Sequence, residues 1–180
     1  MAELISCGPL AGLDPVEAGG CTLDVLALGP VAAIQPWPGR AAAVDAALRA
    51  RGLGFPEPGR SLEVADARIL WVGREAAWLI GVAPPELADA AVTDISDGWA
   101  GLALAGPAAE AVLARHVALD LRPGVFGEGA VASTLLEQVP CVILRRGGSF
   151  ELLVPATLAR SAWHALESAM QGVAARAAAG

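Results

Sequence analysis

From Thr22 onward, short apolar runs alternate with Gly, Pro and Asp, and the period of each run predicts its element. Thr22–Leu28 and Val31–Gln35 read as strands joined by a turn at Gly29-Pro30. The stretch PWPG from Pro36 ends the second strand, and Arg40–Arg51 reads as a helix stopped by Gly52. On that helix Ala41, Val44, Ala47 and Leu48 share one face, while Asp45 and Arg49 form an i,i+4 pair on the other. A Pro/Gly-rich link, Phe55 to Gly59, leads to three short strands: Ser61–Ala65, Arg68–Val72 and Ala77–Gly81. Pro84-Pro85 is expected to start a short helix.

The second half repeats this order. Ala91–Ile95 and Trp99–Ala105 read as strands around Ser96-Asp97-Gly98, whose Asp-Gly is a hairpin signal. Gly106-Pro107 opens a helix to about His116. Val131–Glu137, Cys141–Arg145 and Ser149–Val154 follow as strands, with Gly147-Gly148 as a hairpin tip, and Pro155 leads into a last helix to about Gly172. ILWVGREAAWLI from Ile69 lies over VILRRGGSFELL from Val142, 73 positions later, the mark of an internal repeat. The expected fold is α+β: a duplicated β2-α-β3-α unit with largely antiparallel sheets and helices packed on them. Residues 1–20 are expected to form an arm, loose or laid along a partner. Residues 21–180 form a single domain of two pseudo-repeats, about 21–90 and 91–174.

Composition adds a partner to this picture. The chain is 55% apolar with a mean hydropathy of +0.54 and only 17% charged, against about 45–50% and about 25% in ordinary soluble domains. Much of the excess is Ala, yet what remains favours a subunit that hides apolar surface against another chain. A net charge of −7 with no basic run leaves no cationic stripe for nucleic acid. Every basic residue other than the two histidines is Arg; Lys and Tyr are absent, so there is no Schiff-base lysine and no tyrosine proton donor. No uncharged apolar run is long enough to span a bilayer, and MAELISCGPLAG lacks the basic start of a secretory signal. Cys7, Cys21 and Cys141 make an odd, scattered set without metal-ligand spacing, as expected of reduced cytoplasmic thiols.

Candidate chemistry is sparse. His116 falls on the core-facing arc of its helix, either as a base in a buried site or, the favoured reading, as a core imidazole near a helix C-terminus. His164 points away from the apolar stripe of the last helix, towards solvent or a contacting chain. Asp94, Ser96 and Asp97 resemble a carboxylate pair but fit turn capping better. Gly127-Glu128-Gly129-Ala130-Val131-Ala132 matches a relaxed dinucleotide pattern, without the strand and helix that pattern needs. Arg145-Arg146 at the last hairpin and Trp37 between two prolines could meet an anion or a partner chain. No catalytic, cofactor-binding or metal residue is assigned. Trp37, Arg145, Arg146, Trp163 and His164 are the candidate partner contacts.

Several segments together resemble the gamma subunits of heterotetrameric sarcosine oxidases: Ser96-Asp97-Gly98-Trp99, LALAGPAAEAVLAR from Leu102, the run from Asp120 through Phe126 to Gly129, Thr134-Leu135, and Phe150 through Trp163. PWPG and the two-tryptophan hairpin from Ile69 belong to the same set. The resemblance implies a fold like the folate-binding domain of aminomethyltransferases. It implies a non-catalytic structural subunit of a complex that demethylates sarcosine to glycine and passes the one-carbon unit to tetrahydrofolate. It further implies alpha, beta and delta partners, with alpha in direct contact. FAD, FMN, NAD, tetrahydrofolate and zinc would sit on those other subunits, and none on this chain. Two alternatives remain: a stand-alone folate-binding module, or the equivalent subunit of a related N-methyl amino acid oxidase or dehydrogenase. The Lys-Gly-Cys signature of stand-alone folate proteins of iron–sulfur metabolism is absent around Cys141.

Overall fold

A computed structural model describes residues 7–179; of the expected arm, Met1–Ser6 lie outside the described residues. In chain order the elements are β1 (Val16–Ala18), β2 (Cys21–Leu26), β3 (Val31–Pro36), α1 (Ala41–Arg49), β4 (Ser61–Val64), β5 (Ala67–Gly73), β6 (Ala76–Ile80) and β7 (Ala90–Asp94). There follow β8 (Trp99–Ala105), α2 (Ala109–Leu113), β9 (Val131–Leu136), β10 (Val139–Arg146), β11 (Ser149–Pro155) and α3 (Ala159–Ala179).

All strand pairs are antiparallel, and they form two sheets with orders β1-β2-β8-β11-β10-β9 and β4-β5-β6-β3-β7. The duplication is visible in these orders. β3-β6-β5-β4 in one sheet corresponds to β8-β11-β10-β9 in the other. The first strand of each unit crosses over: β2 pairs with β8 of the second unit, and β7 pairs with β3 of the first. The turns correspond too. Ala65 and Glu137 take positive φ (51° and 55°) at equivalent hairpins, as do Glu75 and Gly148 (50° and 78°).

Alternation along the strands builds three apolar layers. In β10, Cys141 and Ile143 face the helices α2 and α3, while Val142 and Leu144 face the other sheet. Leu102, Phe150, Leu152, Trp163 and Leu166 fill the helix-side layer. Val31, Leu70, Ile80, Val131 and Leu153 fill the layer between sheets. Ile34, Val44, Leu48, Ile69 and Leu79 seat α1 on the outer face of the five-stranded sheet. The order is therefore helix, sheet, sheet, helix. It explains why FELLV in β11 is apolar at almost every position: both of its faces are covered.

Five expectations are corrected. No helix follows Pro84-Pro85; residues 82–89 run without regular structure, because only four residues separate Pro85 from β7, too few to offset the cost of nucleating a helix. Asp97-Gly98 closes no hairpin: Ser96–Gly98 is a single 3₁₀ turn, and its flanking strands enter different sheets. α2 stops at Leu113, where the amides of Arg115 and His116 switch to i−3 carbonyls (Val112 and Leu113). Residues 7–20 lie on this chain's own core, with Leu10 buried and Val16–Ala18 paired to β2. The last helix runs past Gly172 to Ala179, carried by a run of alanines with high helix propensity.

Candidate functional site

The polar centre of the molecule is a charged seam between the two sheets. β5 sends Arg68 inward and β11 sends Glu151, and the guanidinium donates to that carboxylate with both side chains nearly sealed from solvent (11% and 5% exposed). Arg146, at the end of β10, donates to Glu63 of β4 and, at 3.3 Å, to Glu151. The Arg146 guanidinium holds the Glu63 carboxyl below its usual range. Beside them lies a cavity of about 210 Å³, bordered by Ser61, Glu63, Arg68, Glu128 and Arg146 among others. Arginine and glutamate partner one another here. The seam therefore acts as an electrostatic cross-link from β4 and β5 to β10 and β11, and it offers neither a free nucleophile nor an unpaired base.

The neighbouring Arg145 and Arg146 do not act together. Alternation sends Arg146 into the seam and Arg145 to the helix side. There Arg145 donates to Glu110 and to the Phe126 carbonyl (3.3 Å), and its guanidinium lies 4.7 Å from the Phe150 ring centre. Trp163 is corrected from a contact residue to a core residue: at 1% exposure it is packed among the apolar side chains beneath α3. His164 is exposed, with Nδ1 3.4 Å from Glu167. Trp37 is 51% exposed at the end of β3.

His116 does gain a carboxylate, brought by the fold. Its Nδ1 lies 2.8 Å from Glu137 Oε1, while Nε2 is sheltered without a hydrogen-bond partner. Asp94 accepts from both the amide (2.9 Å) and hydroxyl (2.6 Å) of Ser96, which keep its carboxyl below the usual range. Ser96 Oγ in turn accepts from the Val31 amide (2.9 Å), pinning the crossover between sheets. The glycines at 127 and 129 lead into strand β9, not a helix, so no dinucleotide cradle forms. Cys141 is buried, and burial pushes its thiol up to about 12. Among the described residues no three His, Cys, Asp or Glu side chains gather into a metal site. No helix there is long and apolar enough to cross a membrane.

Sequence reasoning missed Arg68, Glu63 and Glu151. The signal available was Glu151 itself, a lone charge inside the apolar run of β11. A charge in such a run demands a partner, but the partner stands 83 residues away and could not be named.

Two sheets with exchanged first strands and helices on their outer faces define the class. Residues 67–179 match the GCVT N-terminal domain family. The solved aminomethyltransferase T of the glycine cleavage system from Bartonella henselae shares the fold (TM-score 0.54, 19% identity, 82% of this chain and 45% of that one). Closer similarity comes from a chain of the solved heterotetrameric sarcosine oxidase from Corynebacterium sp. U-96 in complex with pyrrole 2-carboxylate. It aligns with a TM-score of 0.81 and 26% identity over 94% of this chain and 96% of that one. Sarcosine oxidase subunit gamma from Arthrobacter sp. is 31% identical over 156 residues, covering 77% of this chain and 73% of the relative. The subunit gamma of Corynebacterium sp. strain U-96 is 30% identical over 134 residues, 67% and 65% respectively. The chain belongs to the sarcosine oxidase gamma-subunit family.

Proposed function

We propose that this chain is the non-catalytic, structural gamma subunit of a heterotetrameric sarcosine oxidase. The observation that carries this is the end-to-end structural match to one chain of such a heterotetramer. The polar seam supports the same reading, since its charges are consumed in holding two sheets together. In this role the chain covers apolar surface on the large alpha subunit, within an assembly that also contains beta and delta. Flavins, NAD, tetrahydrofolate and zinc belong to those other subunits. Trp37 and His164 are candidate contacts on the surface. The test is co-expression with the other subunits: the chain co-purifies with alpha and melts at a higher temperature in the complex than alone. A stable isolated monomer with no affinity for alpha overturns the reading.

The GCVT-domain match favours a second reading, in which the chain itself holds folate. The cavity at the seam, about 210 Å³, is smaller than the roughly 300–1,000 Å³ of sites for drug-sized ligands, which weighs against that position. Titration with a reduced folate, followed by tryptophan fluorescence, separates the two: saturable quenching supports folate binding, and a flat response eliminates it.

A further inference from the structure

The strands that open the two units sit in equivalent places, but their outer edges differ. β2 lies on β8, and its outer edge is covered by β1, with Val16 opposite Leu23 and Ala18 opposite Cys21. β7 lies on β3 in the same way, and no strand of the described chain lies on its outer edge. The opposite edges of the two sheets close on each other. The Ser61 amide donates to the Gly129 carbonyl and the Val131 amide to that of Gly59, both at 2.9 Å, around a bridge between Arg60 and Ala130. One sheet thus has six strands and the other five, and the missing position is beside β7.

That edge is built to accept a strand. The Ile95 amide donates to Val31 and the Trp37 amide to Asp89, both at 2.9 Å. These two bonds set the parity of the β3–β7 ladder: Ala91 and Thr93 turn their backbone groups towards β3, and Val92 and Asp94 turn theirs outward. β7 reads Ala-Ala-Val-Thr-Asp with no proline and no bulge, and its one charge, Asp94, stands at the last position. Trp37, Gln35 and Thr93 are exposed beside it on one face. On the other face Pro85, Leu87, Ala90 and Val92 border an open recess of about 500 Å³. Side chains alternating from an added strand would meet the tryptophan on one side and the recess on the other.

Charge selects the occupant. Glu86 and Asp89 precede β7 in the chain, Asp94 ends it and Asp97 follows it, with Arg40 at 3.5 Å from Asp89. A second copy pairing β7 with β7 would bring two acidic rims together. We infer that the β7 edge takes an extended, basic strand from the alpha subunit, completing the five-stranded sheet as β1 completes its counterpart. This rests on the subunit role proposed above, and it assigns the surface through which that role is exercised.

The test uses the assembled complex. Hydrogen-exchange mass spectrometry on it finds the outward amides of Val92 and Asp94 exchanging about 100-fold more slowly than amides of an open edge. Val92→Pro removes one outward donor without touching the ladder to β3, and it lowers the recovered complex about tenfold, as does Trp37→Ala at a central aromatic anchor. The double variant Glu86→Gln/Asp97→Asn weakens assembly and flattens its salt dependence. Open-edge exchange rates for Val92 in a complex that assembles normally overturn the inference while leaving the subunit role intact. So does protection of the same amides by self-association of this chain alone, which would make a second copy the occupant. Failure of the wild-type chain to assemble at all overturns the subunit role, and the inference with it.

Discussion

Glu151 is the one charged side chain buried in the core of the described residues, and its value depends on Arg68. Removing one member of such a pair leaves the other charged, dry and alone, at a cost of about 3–5 kcal/mol. Glu151→Ala is therefore expected to lower unfolding stability by that order in a urea titration. The double variant Arg68→Met/Glu151→Leu recovers most of it, because two apolar groups of similar size need no counter-charge. The carboxylates nearer the surface act through pH. Arg122 holds Asp120 down to about 2, and Asp45 and Glu63 are lowered by Arg49 and Arg146. Each contributes stability that is present above the ordinary carboxylate range, about 4, and lost as pH falls through its lowered pKa, about 2 for Asp120. Melting temperature should fall across that window, more shallowly at high salt because these groups are solvent-screened. At this scale the sequence could have disclosed the separation of Arg145 from Arg146, since adjacent strand residues point to opposite faces. It could not disclose the pairing of Glu137 with His116, which depends on the hairpin that carries Glu137 meeting the end of α2.

Strands were legible because their alternation is local. The boundaries of β3, β5, β6, β8, β10 and β11 fall within one or two residues of the positions expected from apolar period and turn chemistry. What failed was the inference from neighbour in sequence to neighbour in sheet. Asp97-Gly98 has good hairpin chemistry, yet β8 finds β2 on one side and β11 on the other, and β7 finds β3. Burial on both faces outweighs a local turn preference. Two glycines stand where backbones approach closely, and the second lies on the β2–β8 crossover. Gly81 has φ +94°, and a Cβ there would lie 2.2 Å from the Asp66 carbonyl oxygen; a Cβ at Gly101 would lie 2.6 Å from that of Leu26. Gly81→Ala combines left-handed strain with a backbone collision. It is expected to destabilise by at least the 1–3 kcal/mol typical of overpacking, roughly, measured as a shift in urea midpoint. Gly101→Ala loosens the β2–β8 ladder, and faster amide exchange in β2 would report it.

At the scale of the whole molecule, the repeat was readable from one segment, ILWVGREAAWLI over VILRRGGSFELL. The exchange of first strands was not, because β2 and β8 meet across some eighty positions and no local signal spans that distance. The candidate site follows the same rule: each of its charges was visible, and their meeting was not. The exchange also separates covalent continuity from folding. Cleavage between Leu87 and Asp89, in the segment without regular structure, would leave each product holding a strand that the other requires. Each fragment alone should precipitate or remain unfolded, whereas the two produced together should reconstitute a soluble particle with the circular dichroism of the intact polypeptide. A genetic split at that point would then serve as a two-part reporter, silent until both pieces occupy the same compartment.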